Sequence, residues 1–175
     1  MRNINRAAVS CFVLLLLLPS GLLGGEAQNA FSEGVKLYRA GKYKDAVAAF
    51  TRAIKAAPKS DEAYNNRGLA HFKLGQNDNA LKDYDEALKL NPKITDAYFN
   101  RGNVHFAQKQ YDRAIKDYDE ALKLDAKNAK IYANRGVIRA RQGKNEDARK
   151  DFHKAIDLDP NLKDKLEPMM APANK

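Results

Sequence analysis

The chain of 175 residues has one cysteine and no tryptophan. A lone Cys11 excludes a disulfide framework, a thiolate zinc site and a Cys-x-x-Cys redox pair. Ten glycines and six prolines are too few for a collagen-like or linker-like chain. The sequence also lacks a Gly-rich phosphate loop, a His-Glu-x-x-His pair and a Gly-x-Ser-x-Gly elbow. Apolar residues make up 44% and charged residues 30%, enough of both for a globular fold with a core. Lys and Arg number 31 against 22 Asp and Glu, a formal charge of +9. That balance leaves nucleic acid or an anionic membrane surface open as partners.

The one long apolar run lies near the start. Arg2 and Arg6 precede Ala7 to Leu18, which includes five consecutive leucines, and Pro19, Ser20 and Gly21 break it. Gly25-Glu26-Ala27 then offers small residues at the two positions a signal peptidase reads. Basic, apolar, small is the order of a secretory signal peptide, so residues 1–27 are expected to be one. The strict run of 12 residues is short for a membrane span, which needs about 20. The alternative is a membrane anchor through an uncleaved N-terminal segment. Cys11 precedes most of the apolar run, against a lipoprotein signal. Cleavage after Ala27 removes two basic residues and one acidic one, leaving +8 and no cysteine. The expected location is periplasmic or secreted, with no stable membrane insertion after cleavage.

The rest is one unit written four times. Gly34, Gly68, Gly102 and Gly136 are spaced by 34 residues. So are Ala46, Ala80, Ala114 and Ala148, and Ala53, Ala87, Ala121 and Ala155. Phe50, Tyr84, Tyr118 and Phe152 form an aromatic series, and Pro58, Pro92 and Pro160 another, with Ala126 in the gap. Gly41, Gly75 and Gly143 share the period, with Lys109 as the exception. The units run 27–60, 61–94, 95–128 and 129–162; offsets below count from their first residues. Each reads as two helices: apolar residues at helical spacing, a glycine turn, a second stripe, then a proline that ends it. The small residues let the helices approach, and the aromatic fills the space between units. One unit cannot bury its own stripe, so stacking makes the core.

This period and its Gly, Ala, aromatic, Ala, Pro pattern resemble the tetratricopeptide repeat family. The resemblance implies an all-α fold, a right-handed α-solenoid of four helix-turn-helix repeats over residues 28–162. Residues 163–175 are left as a short cap turn and a flexible tail. The family's large apolar residue at offset 7 is replaced by Glu33, Arg67, Arg101 and Arg135. Its offset-11 aromatic becomes Leu37, His71, His105 and Arg139.

The offset-7 arginines have an internal control. Units two to four also carry Asp83, Asp117 and Asp151 at offset 23, whereas the first unit has Glu33 and Ala49. Joint presence and joint absence predict the pairs Arg67 with Asp83, Arg101 with Asp117, and Arg135 with Asp151. The alternative is that the arginines read a ligand carboxylate. His71 and His105 are expected to replace packing aromatics, and His153 to be solvated. Acids such as Asp85 and Glu86 recur at fixed offsets, as solvated faces do, whereas a catalytic pair needs one unique geometry. No enzyme activity, metal or cofactor is therefore expected.

Asn66, Asn100 and Asn134 share offset 6. In a curved stack of this family the first helices line the concave face, so equivalent residues form a row. An amide both donates and accepts, and a row of amides suits an extended peptide backbone. The row resembles the asparagine ladder of the helical-repeat region of O-linked N-acetylglucosamine transferase. A plain helix-solvating role stands beside that reading. Neighbouring groove offsets supply Asn65, Leu69, Lys73, Phe99, Asn103, Lys130 and Arg141. The two-carboxylate clamp of the family's chaperone-tail binders is not reproduced in either frame of three units.

At offset 21 the series Val47, Leu81, Ile115 becomes Arg149, where a fifth unit would pack, so the array is expected to end there. Leu162 and Leu166 suggest a capping turn, and Met169 and Met170 a mobile tail. So thin a cap is expected to leave apolar surface exposed. Two readings follow. One is an exported, non-catalytic scaffold binding a peptide or protein segment in its groove. The other is a self-assembling cell-envelope component, a homo-oligomer built through the thin cap. Nucleic acid is not the expected partner, because an aromatic-basic platform is missing.

Overall fold

A computed structural model describes residues 20–170. Most of the segment expected to be a signal peptide, residues 1–19, and the end of the tail, residues 171–175, lie outside the described residues. Eight helices pair in sequence order: α1 (Ser20–Arg39) with α2 (Tyr43–Ala56), α3 (Asp61–Lys73) with α4 (Asn77–Leu90), α5 (Thr95–Ala107) with α6 (Tyr111–Leu124), and α7 (Ala129–Arg141) with α8 (Asn145–Leu158). Each second helix also packs against the next first helix, and α1, α3 and α5 touch in turn. The result is a helix-turn-helix solenoid. None of the described helices is long and apolar enough to cross a membrane.

Local sequence sets the ends of these helices. Ser60 caps α3, its hydroxyl accepting from the Ala63 N–H at 3.2 Å. The turns inside three units place Gly41, Gly75 and Gly143 at φ of 74°, 72° and 76°, the left-handed region that glycine enters without penalty. Lys109 enters the same region at φ 60° in the unit that lacks the glycine.

The core consists of alanines and large rings. Ala46, Ala80, Ala114, Phe50, Tyr84, Tyr118 and Phe152 are fully buried. The offset-8 glycines explain the close approach. A Cβ on Gly34 would lie 2.6 Å from the Phe50 ring, and one on Gly102 would lie 2.6 Å from Tyr118. The ring of each second helix therefore sits directly on the backbone of its own first helix. Packing of this density makes a missing ring costly, about 3–5 kcal/mol for a large-to-Ala change.

One of the two ends differs from the sequence expectation. The first side chain of α1 buried in the core is Ala30, so the core begins just beyond Ala27. At the other end, a 3₁₀ turn (Pro160–Leu162), a short helix α9 (Lys163–Leu166) and a second 3₁₀ turn (Glu167–Met169) fold back on the fourth unit. Leu166 is buried, and Leu162 and Met170 pack on the cluster around Phe152 and Ala155. Arg149 donates through Nε to the Met170 carbonyl at 3.2 Å. The cation that breaks the aliphatic series thus ties down the cap. The apolar end expected to stay exposed is covered, and Met170 belongs to the packed structure; of the pair only Met169 is exposed.

Candidate functional site

Two sets of polar side chains run through units two to four. The first lies between helices. Arg67 donates to both Asp83 oxygens at 2.9 and 2.7 Å, Arg101 to both Asp117 oxygens at 3.0 and 2.7 Å, and Arg135 to both Asp151 oxygens at 3.0 and 2.6 Å. The carboxylates are almost fully buried, with 3 to 5% exposed. Each guanidinium has a third arm toward the preceding unit. Arg67 reaches Thr51 at 3.2 Å, Arg101 reaches Asp85 at 2.7 Å, and Arg135 reaches Asp119. Each also lies over a tyrosine of its own helix, Tyr64, Tyr98 or Tyr132, at 5.4 to 5.6 Å. The arginines are therefore staples from unit to unit, and their donors are engaged within the protein.

The electrostatics agree. The hydrogen bond to Asp83 raises the Arg67 pKa above its ordinary range. Burial opposes the charge on Arg101 and Arg135, but the hydrogen bonds to their aspartates outweigh it and the net direction is upward. His71 and His105 complete the inner layer. Their Nδ1 atoms lie 2.6 Å from Gln76 Oε1 and 2.8 Å from Gln110 Oε1, and each Nε2 lies 3.8 Å from the clamp aspartate. In the fourth unit Arg139 takes that place and donates to Asp151 Oδ2 at 2.9 Å. The first unit has only an exposed pair, Arg52 with Glu33 at 2.6 Å.

The second set lies on the first helices α3, α5 and α7. Asn66, Asn100 and Asn134 are half-buried there. Each commits one amide N–H internally. Asn66 donates to the Glu62 carbonyl of its own helix at 2.8 Å. Asn100 donates to Asn65 Oδ1 at 3.4 Å, and Asn134 to Asn103 Oδ1 at 3.0 Å. The last two bonds tie neighbouring first helices together. Asn103 also accepts from the Tyr118 hydroxyl at 2.6 Å. The row therefore keeps its Oδ1 atoms and one N–H per amide for another group, fewer than a wholly uncommitted ladder has.

The other groove residues are placed unequally. Leu69 is half-buried beside the row. Phe99 is half-buried too, but its ring packs 5.8 Å from Tyr118 and belongs partly to the core. Lys73 and Lys130 are exposed, one ending α3 and the other opening α7. Arg141 is exposed with its guanidinium 4.8 Å over Phe106. Missing from the sequence reading are the third arms Thr51, Asp85 and Asp119; their shared offset was the available signal. Missing too is Phe106, which gives Arg141 a fixed seat. Among the described residues, no group of three or more His, Cys, Asp or Glu side chains is placed to hold a metal ion.

Buried phenols underlie this face. Burial raises the pKa of Tyr84 and Tyr118 well above that of a free phenol, and the nearby Asn134 amide works the other way on Tyr118. The Tyr84 hydroxyl is buried with no hydrogen-bond partner, because Leu69 stands where the third unit has Asn103.

Known proteins of this architecture bear on the family. Among curated proteins none matches this sequence significantly. Among solved structures, the first repeat domain of Spaghetti (RPAP3), bound to the HSP90 peptide SRMEEVD, is 29% identical with a TM-score of 0.66, over 68% of this chain and 94% of that one. MamA is 22% identical with a TM-score of 0.73, over 82% and 86% of the two chains. A thermophilic repeat protein of Thermus thermophilus is 23% identical with a TM-score of 0.71, over 82% and 80%. The last two likenesses speak for the fold. The tetratricopeptide repeat model matches residues 31–93, 66–129 and 99–163, which together span most of the chain, and the chain therefore belongs to the tetratricopeptide repeat family.

Proposed function

We propose that this chain is an exported, non-catalytic scaffold that holds an extended peptide or protein segment in the groove lined by α3, α5 and α7. Tetratricopeptide repeats serve as protein-interaction scaffolds, and the Spaghetti domain was solved with a peptide bound. The observation that carries the reading here is the row of half-buried amides, Asn66, Asn100 and Asn134, at one offset of successive first helices. Each retains an acceptor and an N–H, the pair an extended backbone requires. Leu69 supplies apolar ground beside the row, and Lys130 and Arg141 place two cations at its α7 end. The ligand differs from a chaperone tail gripped by two carboxylates, because the residues of that clamp are not reproduced.

Asn66→Ala gives the cleanest test, since its internal bond stays within one helix while the other two amides join helices. Screening the wild type on an array of random extended peptides selects binders. Fluorescence anisotropy with the best of them is then expected to show affinity about tenfold lower for Asn66→Ala, as loss of one to two hydrogen bonds implies. Unchanged affinity for every selected peptide removes the amide row from the mechanism.

A further inference from the structure

The edge of the solenoid where each second helix hands the chain to the next first helix is built alike in units one to three. Segments 55–59, 89–93 and 123–127 contain six lysines and a single acid, Asp125. All six lysines are exposed. Lys89 and Lys123 reach Glu86 and Glu120 at 3.3 and 2.7 Å. Lys55, Lys59, Lys93 and Lys127 have no ion-pair partner among the described residues. The same edge carries Leu90 and Leu124, 37 and 42% exposed; with Met169 they are the exposed large apolar side chains among the described residues. Pro58, Pro92 and Ala126 beside them are exposed as well. The fourth unit abandons the pattern, with Asp157 and Asn161 at the two lysine offsets.

We propose that this lysine and leucine edge is a peripheral docking surface for an anionic phospholipid bilayer. Repetition places equivalent residues in a line along the stack. Within the second unit the Asn91 side chain donates to Asp61 at 2.7 Å, which holds segment 89–93 beside the start of α3, where segment 55–59 ends. A charged lipid surface attracts such a row without needing a pocket, each lysine adding to the attraction within a Debye length. Isolated leucine tips enter the interface while the flanking ammonium groups stay at the headgroups. A protein partner is a poorer fit, since its hot spots need a contiguous, desolvated anchor site, and these leucines stand singly between lysines. Nucleic acid fits less well again: the three segments contain no aromatic residue on which a base could stack. Asp61, Glu62 and Asp96 lie in the first turns of the next helices, so the basic row is bounded there by acids and confined to the edge. The inference is independent of what the groove binds.

The test is co-sedimentation of the full chain with vesicles of phosphatidylcholine alone or with about one third phosphatidylglycerol, at low and high salt. The variant is Lys59→Glu with Lys93→Glu and Lys127→Glu. A control of equal charge change is Lys82→Glu with Lys116→Glu and Lys150→Glu, exposed residues of the second helices. The N-terminal apolar segment is common to all three proteins, so differences among them report the edge. Binding is expected to require phosphatidylglycerol, to weaken with salt, and to fall about a hundredfold in the edge variant and less than tenfold in the control. Leu90→Ser with Leu124→Ser is expected to lower it about tenfold. Equal losses in edge variant and control overturn the proposal, as does binding to neutral vesicles that matches binding to anionic ones. So does tighter binding to a soluble polyanion such as heparin than to the vesicles.

Discussion

The first unit and the three that follow share a core but not its electrostatics. All four set an aromatic ring on a glycine and surround it with alanines. Only units two to four add a buried arginine clamp, and each clamp reaches back to the unit before it. The first unit carries an exposed pair, Glu33 with Arg52, in place of the clamp. The ring-on-glycine contact is therefore what makes a unit, and the clamp is what joins units in register. A clamp missing from the first unit leaves solvated charge where the later units bury a carboxylate.

Removing one member of a clamp is the strongest way to break this comparison. Asp117→Ala leaves the half-buried Arg101 without its bidentate partner, and the expected loss is about 3 kcal/mol. Glu33→Ala removes an exposed pair and is expected to cost about 0.5 kcal/mol or less. Urea unfolding followed by circular dichroism measures both. Equal effects would mean that the buried clamps add nothing beyond surface ion pairs.

The glycine contact is expected to behave alike in every unit. A Cβ on Gly34 and on Gly102 meets a ring at 2.6 Å in both cases. Gly34→Ala and Gly102→Ala should each cost about 1–3 kcal/mol by overpacking. Thermal melts of the two variants compare the first unit with the third, and a neutral Gly34→Ala would show that the first unit yields more easily.

A finer contrast separates the second and third units. Tyr118 donates to Asn103, while the Tyr84 hydroxyl is buried without a partner. Tyr118→Phe should therefore cost about 1 kcal/mol, and Tyr84→Phe should be neutral or stabilising, since it removes an unsatisfied buried donor. Both phenols are held protonated by burial, so their pKa is raised in the folded state. The stability this carries is complete below the unfolded pKa of about 10 and is lost as pH rises above it. Absorbance titration should find two phenols that ionise only as the fold opens.

The period made most of the fold legible. Series such as Gly68 with Tyr84, or Ala80 with Ala87, repeat because every unit needs the same close contact. The cap was only partly legible: Arg149 marks the end of the array, but its bond to the Met170 carbonyl depends on chain that has no counterpart in earlier units. The internal bonds of the amide row were not legible, for a physical reason. Asn100 finds its partner at Asn65 and Asn134 finds its partner at Asn103, residues at different offsets, so periodicity gave no hint of either bond. Asp85 and Asp119 do recur, yet repetition alone does not distinguish a solvated acid from the third arm of a clamp.

The smallest expected effect concerns the one turn that departs from glycine. Lys109 holds φ at 60°, where Gly41, Gly75 and Gly143 occupy the same left-handed region. A side chain there costs about 1–2 kcal/mol in local sterics, offset in part by the extra entropy a glycine loses on folding. Lys109→Gly should thus stabilise the chain by up to about 1 kcal/mol, a rise of a few degrees in Tm. The reverse change, Gly75→Lys, should destabilise by a similar amount, with nothing within 4 Å of an added Cβ to complicate it. Matched and opposite shifts would show that the third turn carries the same backbone as its neighbours under strain. If Lys109→Gly lowers Tm, the lysine side chain itself must stabilise the turn.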